Sequence, residues 1–147
     1  MATTLVSTSR PLTFKSIGLT VLAFMLASFT VQAGSHFFLN TAHYSSVSFM
    51  RPEPIMPLGL SVMILQGIIL GLLFPAIKWR GPVKRNALLF SLLMGAFLGA
   101  YIAFVEPAKY AVPSVGTWIC VEASASLVQF LIFGVLLGFI HRESKLT

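Results

Sequence analysis

The chain has 147 residues, of which 56% are hydrophobic and only 10% charged, with a mean hydropathy of +0.89. Soluble domains carry about 25% charged residues, so this composition cannot supply a water-facing surface, and the exterior must meet lipid. The net charge of +6 sits in short clusters between apolar runs rather than along one basic face, which argues against nucleic acid as a partner.

A helix that crosses about 30 Å of hydrocarbon needs about 20 apolar residues. Four stretches meet that requirement, and they predict an all-α integral membrane bundle in one domain spanning 1–147. The first helix is expected over about 16–38. The run Ile17 to Thr30 after Arg10 and Lys15, ending in Val31-Gln32-Ala33, also reads as a signal peptide with a cleavage site. Because the apolar stretch extends through His36-Phe37-Phe38, a retained helix is the preferred reading.

A loop from Leu39 to Met56 follows. His36 and His43 stand seven apart, which is one helical face if the helix continues. With Glu53 or Glu122 they are weak candidates for a metal site. Asn40 and Thr41 between them favour a loop, so no metal or other cofactor is expected. Three prolines in Arg51-Pro52-Glu53-Pro54-Ile55-Met56-Pro57 predict a rigid extended segment, since proline fixes φ and disfavours helix in the residue before it.

The second helix is expected over about 57–77, with Pro57 at its start and Pro75 near its end. Gly81-Pro82 breaks the chain. The third is expected over about 87–105 and ended by Pro107. The fourth is expected over about 114–140, after Pro113. Trp79, Tyr101, Tyr110 and Trp118 fall near predicted lipid–water boundaries, where amphipathic rings settle. The single cysteine, Cys120, offers neither a disulfide nor a metal cluster and reads as a small apolar residue.

Arg10, Lys15, Lys78, Arg80, Lys84, Arg85, Arg142 and Lys145 fall on one side of these helices. Only Arg51 and Lys109 fall on the other. The positive-inside rule then places both termini in the cytoplasm (N-in/C-in). A faint repeat pairs Gln66 and Gly71 with Gln129 and Gly134, and Lys15 and Met25 with Lys84 and Met94. The two matches need different offsets, and chance is the better reading.

Three helices carry glycines four apart, namely Gly67 and Gly71, Gly95 and Gly99, and Gly134 and Gly138. That spacing puts them on one face and lets backbones approach closely. It predicts tight helix packing, within the chain or between copies. Glu122 is the residue that lipid would penalise most. It lies one turn inside Trp118, with Ser126 and Gln129 at i+4 and i+7 on the same face. Gln66 in the second helix is placed to face them. This set is a candidate ligand or proton site. Its bland counterpart is a structural pair between Glu122 and Lys109, Arg51 or a histidine. Glu106 and Lys109, three apart, join Arg51, Glu53 and Glu122 in an expected outer charge cluster. His141 sits at the opposite end, beside Arg142.

Pro54-Ile55-Met56-Pro57 leading into Gln66-Gly67, then Glu106 with Lys109, then Trp118 with Glu122 and Gln129, resembles a family of uncharacterised small four-helix bacterial inner-membrane proteins. The resemblance covers residues 50–141. It implies a bacterial inner-membrane location and carries no established activity or catalytic residue. Three functions follow as expectations. The first is a non-enzymatic accessory or assembly bundle that binds another membrane protein or itself within the bilayer. The second is a small transporter or channel subunit with a polar path around Glu122. The third is a metal-dependent intramembrane enzyme built on His36 and His43. The absence of any nucleophile–base pattern disfavours the enzyme.

Overall fold

The structure is a computed structural model that describes residues 12–142. Those residues form helices and connecting turns, with no strand among them. Helix α1 (Phe14–Gly34) runs on through a π turn at Ser35–Leu39, and the short α2 (Thr41–Ser45) follows. Helix α3 spans Met56–Ala76. Helix α4 (Val83–Ala100) continues through a second π turn, Tyr101–Val105, into the short α5 (Glu106–Lys109), and α6 spans Val115–Ile140. Four stretches are long and apolar enough to cross a membrane: Phe14–Leu39, Met56–Ala76, Val83–Lys109 and Val115–Ile140. The chain is an all-α membrane bundle of four spanning helices.

Side chains set the helix ends. Thr13 and Ser16 form a capping box at α1: the Ser16 N–H donates to Thr13 Oγ1 at 3.1 Å, and the Thr13 N–H donates to Ser16 Oγ at 3.3 Å. This satisfies two of the donors that every helix start leaves unpaired. Ser114 plays the same part for α6, accepting from the Thr117 N–H at 3.3 Å. Pro57 occupies the first turn of α3, where a missing N–H costs nothing. At the other end of α3 the Trp79 indole donates to the carbonyl of Phe74 at 2.8 Å. Gly81, at φ +87°, turns the chain toward α4.

Two expected boundaries move. Helix α4 begins at Val83 rather than 87. Lys84 and Arg85 therefore lie on its first turn, exposed, where long basic side chains reach the interface. Pro107 does not end the helix. The Glu106 N–H bonds to the carbonyl of Tyr101 across the π turn, and Pro107 falls in the first turn of the next helical segment. Arg10 and Lys145 lie outside the described residues.

Helix α3 packs on α1, α1 on α6, and α6 on α4. All six predicted glycines are buried at these contacts within one chain. A Cβ on Gly67 would stand 2.9 Å from Val21 Cα, and one on Gly71 would stand 3.4 Å from Thr20 Cβ; both belong to the α1–α3 contact. On the α4–α6 contact, a Cβ on Gly95 would reach the Phe130 ring at 2.6 Å, and one on Gly99 would reach Ser126 at 2.9 Å. Reciprocally, a Cβ on Gly134 would meet Ser91 at 2.9 Å, and one on Gly138 would meet Lys84 Cα at 3.3 Å. Lipid gives helices no hydrophobic reason to associate, so this close approach supplies much of the attraction.

Both described ends of the chain lie at one end of the bundle, called here the terminal end; the segments 40–55 and 106–114 lie at the other, the loop end. The core sits toward the terminal end. Phe24, Phe74, Phe90, Phe130, Phe133 and Leu137 fill it, with ring centroids 5.2–5.9 Å apart for Phe24–Phe133, Phe74–Phe90 and Phe24–Phe130. His141 closes this core instead of standing at a basic rim. It is 6% exposed, meets the Phe74 ring edge-on at 5.0 Å, and places Nε2 3.5 Å from Thr20 Oγ1.

Candidate functional site

Above the aromatic core the bundle changes character. Ser28 on α1 and Gln129 on α6 lie near the middles of their helices, and both are buried. The Gln129 Nε2 donates to Ser28 Oγ at 2.8 Å. One turn further along α1, the Gln32 Nε2 donates to Gln129 Oε1 at 2.9 Å. The Gln129 amide is thus held at both ends by α1. Neutral amide and hydroxyl pairs suit this depth, where an ion would be far more costly.

Toward the loop end, Glu122 is 5% exposed. None of the expected counter-ions meets it. Its Oε1 accepts from the hydroxyl of Tyr44 at 2.8 Å. Tyr44 is also buried and lies 3.4 Å from Ser35 Oγ. Ser35 in turn accepts from Asn40 Nδ2 at 2.9 Å. The first π turn makes this possible, because it carries Ser35 inward and directs the chain into α2, which supplies Tyr44. Burial pushes the Tyr44 hydroxyl well above the usual phenol range; the bond to Ser35 opposes that shift, and the Glu122 carboxylate adds to it. Tyr44 therefore stays a proton donor at any physiological pH.

The histidines serve this wall as rings. His36 stacks on Tyr44 at 3.6 Å between centroids and 12° between planes, and its Nδ1 lies 3.0 Å from the carbonyl of Gln32. His43 sits against Tyr44 and Trp118, at 5.1 and 5.7 Å. No three His, Cys, Asp or Glu side chains converge as metal ligands among the described residues. The second π turn frees the carbonyl of Ile102, which accepts from the Trp118 indole at 2.9 Å.

Between these walls lies a cavity of about 1080 Å³. Ser28 and Gln32 of α1 and His36 of the first π turn line it, with Gln66 of α3 and Ser126 and Gln129 of α6. Leu58, Val62 and Met63 of α3, Leu98 of α4, Ile102 of the second π turn, and Phe130 supply apolar wall. The segment 47–55 covers its loop end, through Val47, Met50, Arg51, Pro52, Pro54 and Ile55.

Of the four candidates for a polar site, Gln66, Ser126 and Gln129 share this cavity. Glu122 lies beyond it toward the loop end, behind Tyr44. The expected charge cluster is not gathered into one network. Arg51 and Glu53 are exposed, with Arg51 on the cavity rim. The Glu106–Lys109 pair does not form: Lys109 Nζ donates to the Tyr101 hydroxyl at 3.3 Å and lies over its ring. A cation over an aromatic ring gains about as much as a surface ion pair, about 0–1 kcal/mol, and Glu106 is half-buried rather than reaching out to Lys109.

Sequence reasoning overlooked Ser28, Gln32, Ser35 and Tyr44. The first three had a signal. They recur at i, i+4 and i+7, the same spacing as Glu122, Ser126 and Gln129. Two antiparallel helices with one polar stripe each are expected to match them face to face. Tyr44 had no such signal, because it comes from a loop that only the folded chain brings over Glu122.

The chain matches no family model, no curated protein and no solved structure.

Proposed function

We propose that this chain is a non-enzymatic membrane bundle that binds a small molecule in its loop-end cavity, as a carrier or as the binding subunit of a larger membrane assembly. One observation carries the reading. The cavity reaches the middle of the bundle and ends on neutral hydrogen-bonding groups, Ser28, Gln66, Ser126 and Gln129, contributed by three helices. Such a floor is costly to build in lipid unless something polar uses it. Binding sites at the midplane, served by uncharged polar groups, suit molecules that cross or reside in a membrane. The packed phenylalanines below make the cavity a pocket rather than a continuous channel in this conformation.

This reading favours the polar-path expectation over a purely structural accessory role. It also takes the first helix as retained, since α1 contributes Ser28 and Gln32 and covers Gly67 and Gly71. The split of basic residues supports a cytoplasmic terminal end, and the resemblance of residues 50–141 supports a bacterial inner membrane. The test is gentle purification from native membranes, followed by mass spectrometry of the small molecules that accompany the protein. A stoichiometric companion is expected, and Gln129→Leu should lose most of it while the helical circular-dichroism signal stays unchanged. A wild-type protein that carries no companion above the level of bulk lipid would sink the reading.

A further inference from the structure

Two observations say what the molecule in the cavity is and how it arrives. The first concerns unused hydrogen bonds. Gln129, Ser28 and Gln32 are paired with one another. Ser126 is 8% exposed and lines the cavity, yet its hydroxyl has no partner among the described residues. The Gln66 amide, on the opposite wall, has none there either. Ser126 is buried and Gln66 half-buried, and these two face the same space, where lipid would offer them no partner; a hydrogen bond left unmade there costs about 1–3 kcal/mol. No acidic residue lines the cavity, and Arg51 at the rim is its sole Lys or Arg. A cation finds no partner here, and a charged group of either sign at this depth would be strongly penalised. A neutral oxygen-bearing group that both donates and accepts fits both walls.

The second observation is the route. Helix α3 is held by α1, and α4 is held by α6. The two meet at the terminal end through Phe74, Trp79 and Phe90. Toward the loop end, Val62 and Met63 on α3, Leu98 on α4 and Ile102 on the π turn that continues it form cavity wall. The cavity's side between α3 and α4 thus faces lipid, while the proline-stiffened segment 50–55 lies across the end that would face water.

Resting on the binding reading above, we propose that the cavity takes a neutral long-chain molecule from the membrane, entering between α3 and α4. Its oxygen-bearing head group, an alcohol, bonds to Gln66 and Ser126. Its chain lies along Val62, Met63, Leu98 and Ile102. The head group replaces the water that would otherwise have to satisfy these two side chains at mid-membrane depth, and the chain keeps its contact with lipid through the gap.

The test is photolabelling in membrane vesicles with a long-chain alcohol that carries a diazirine and an alkyne, followed by peptide mapping. Labels are expected in segments 58–66 and 98–102. Hexadecanol should compete them away, whereas butanol and palmitate should not. Gln66→Leu and Ser126→Ala should each weaken competition about five-fold, the effect of one neutral hydrogen bond; a melting temperature near the wild type's will show that the variants fold. If butanol competes as well as hexadecanol, the ligand comes from water and the membrane route is overturned, while the binding reading stands. Equal competition by palmitate overturns the neutral head group. Labelling that survives both substitutions undiminished overturns the assignment to Gln66 and Ser126. No saturable labelling with any probe removes this proposal together with a cavity that binds small molecules from lipid, and a companion that still co-purifies from native membranes then separates the two failures.

Discussion

The two ends of this bundle are built on opposite plans. Toward the terminal end, Gly71, Gly134 and Gly138 draw backbones together and phenylalanines fill what remains, with ring centroids 5–6 Å apart. At the loop end, two π turns interrupt regular helix, the polar side chains bond across helices, and a cavity of about 1080 Å³ stays open. The difference separates roles along one axis. The packed end fixes the relative position of four helices that lipid alone would not hold together. That rigidity lets the other end carry a void and a buried carboxylate without collapse. π turns concentrate at functional sites for the same reason: they re-aim side chains at a cost that a stable region elsewhere must offset.

If the contrast is real, removing bulk from the packed end should have the largest effect. Phe133→Ala, at a fully buried ring, should destabilise the protein by about 3–5 kcal/mol in detergent unfolding. Next is added bulk at the closest helix contact. Gly95→Val would push a side chain into the Phe130 ring and should cost about 1–3 kcal/mol, read as a lower melting temperature.

At the loop end the expected loss is of the same order as that of Gly95→Val, below that of Phe133→Ala, and depends on pH. Tyr44→Phe removes a hydrogen bond to a buried carboxylate, a loss of about 1.5–3 kcal/mol. The sign of the pH effect follows from the raised Tyr44 pKa. The folded chain favours the protonated phenol, so that contribution is fully present below the unfolded value of about 10 and is lost as pH rises above it. The stability gap between wild type and Tyr44→Phe should therefore be flat up to about pH 10 and narrow beyond. A gap that widens there would contradict the proton assignment. The smallest effect has the opposite sign. A Cβ on Gly116, in the first turn of α6, would meet only open space, so Gly116→Ala should raise stability by about 0.5–1 kcal/mol. If Gly95→Val and Gly116→Ala behave alike, glycine contact is not what holds α4 on α6.

Much of the architecture was legible. Apolar length placed all four spanning helices, and proline, glycine and capping residues marked most ends within a few residues. The exceptions have local causes: Val83-Lys84-Arg85-Asn86 is helical although rich in polar residues, and Pro107 is tolerated because a π turn delivers it to a position that needs no N–H. The glycine spacing marks packing faces in the sequence itself, and the polar stripe of α6 is visible there at Glu122, Ser126 and Gln129. The matching stripe on α1 has the same spacing and was overlooked.

The sequence by itself determined what belongs in lipid, how many times the chain crosses, and which residues on each helix are too small or too polar to face acyl chains. Those properties depend on the composition of single segments, and a segment meets lipid without reference to its neighbours. Only the tertiary structure decided which faces meet: that Gly67 and Gly71 close on α1 while Gly95 and Gly99 close on α6, that Glu122 is answered by Tyr44 rather than by Lys109 or Arg51, and that Gln66 and Ser126 look across one cavity. Each of these depends on helix rotation and on the path of the 40–55 segment. Many rotations bury a helix in lipid equally well, and close packing together with a few hydrogen bonds selects among them.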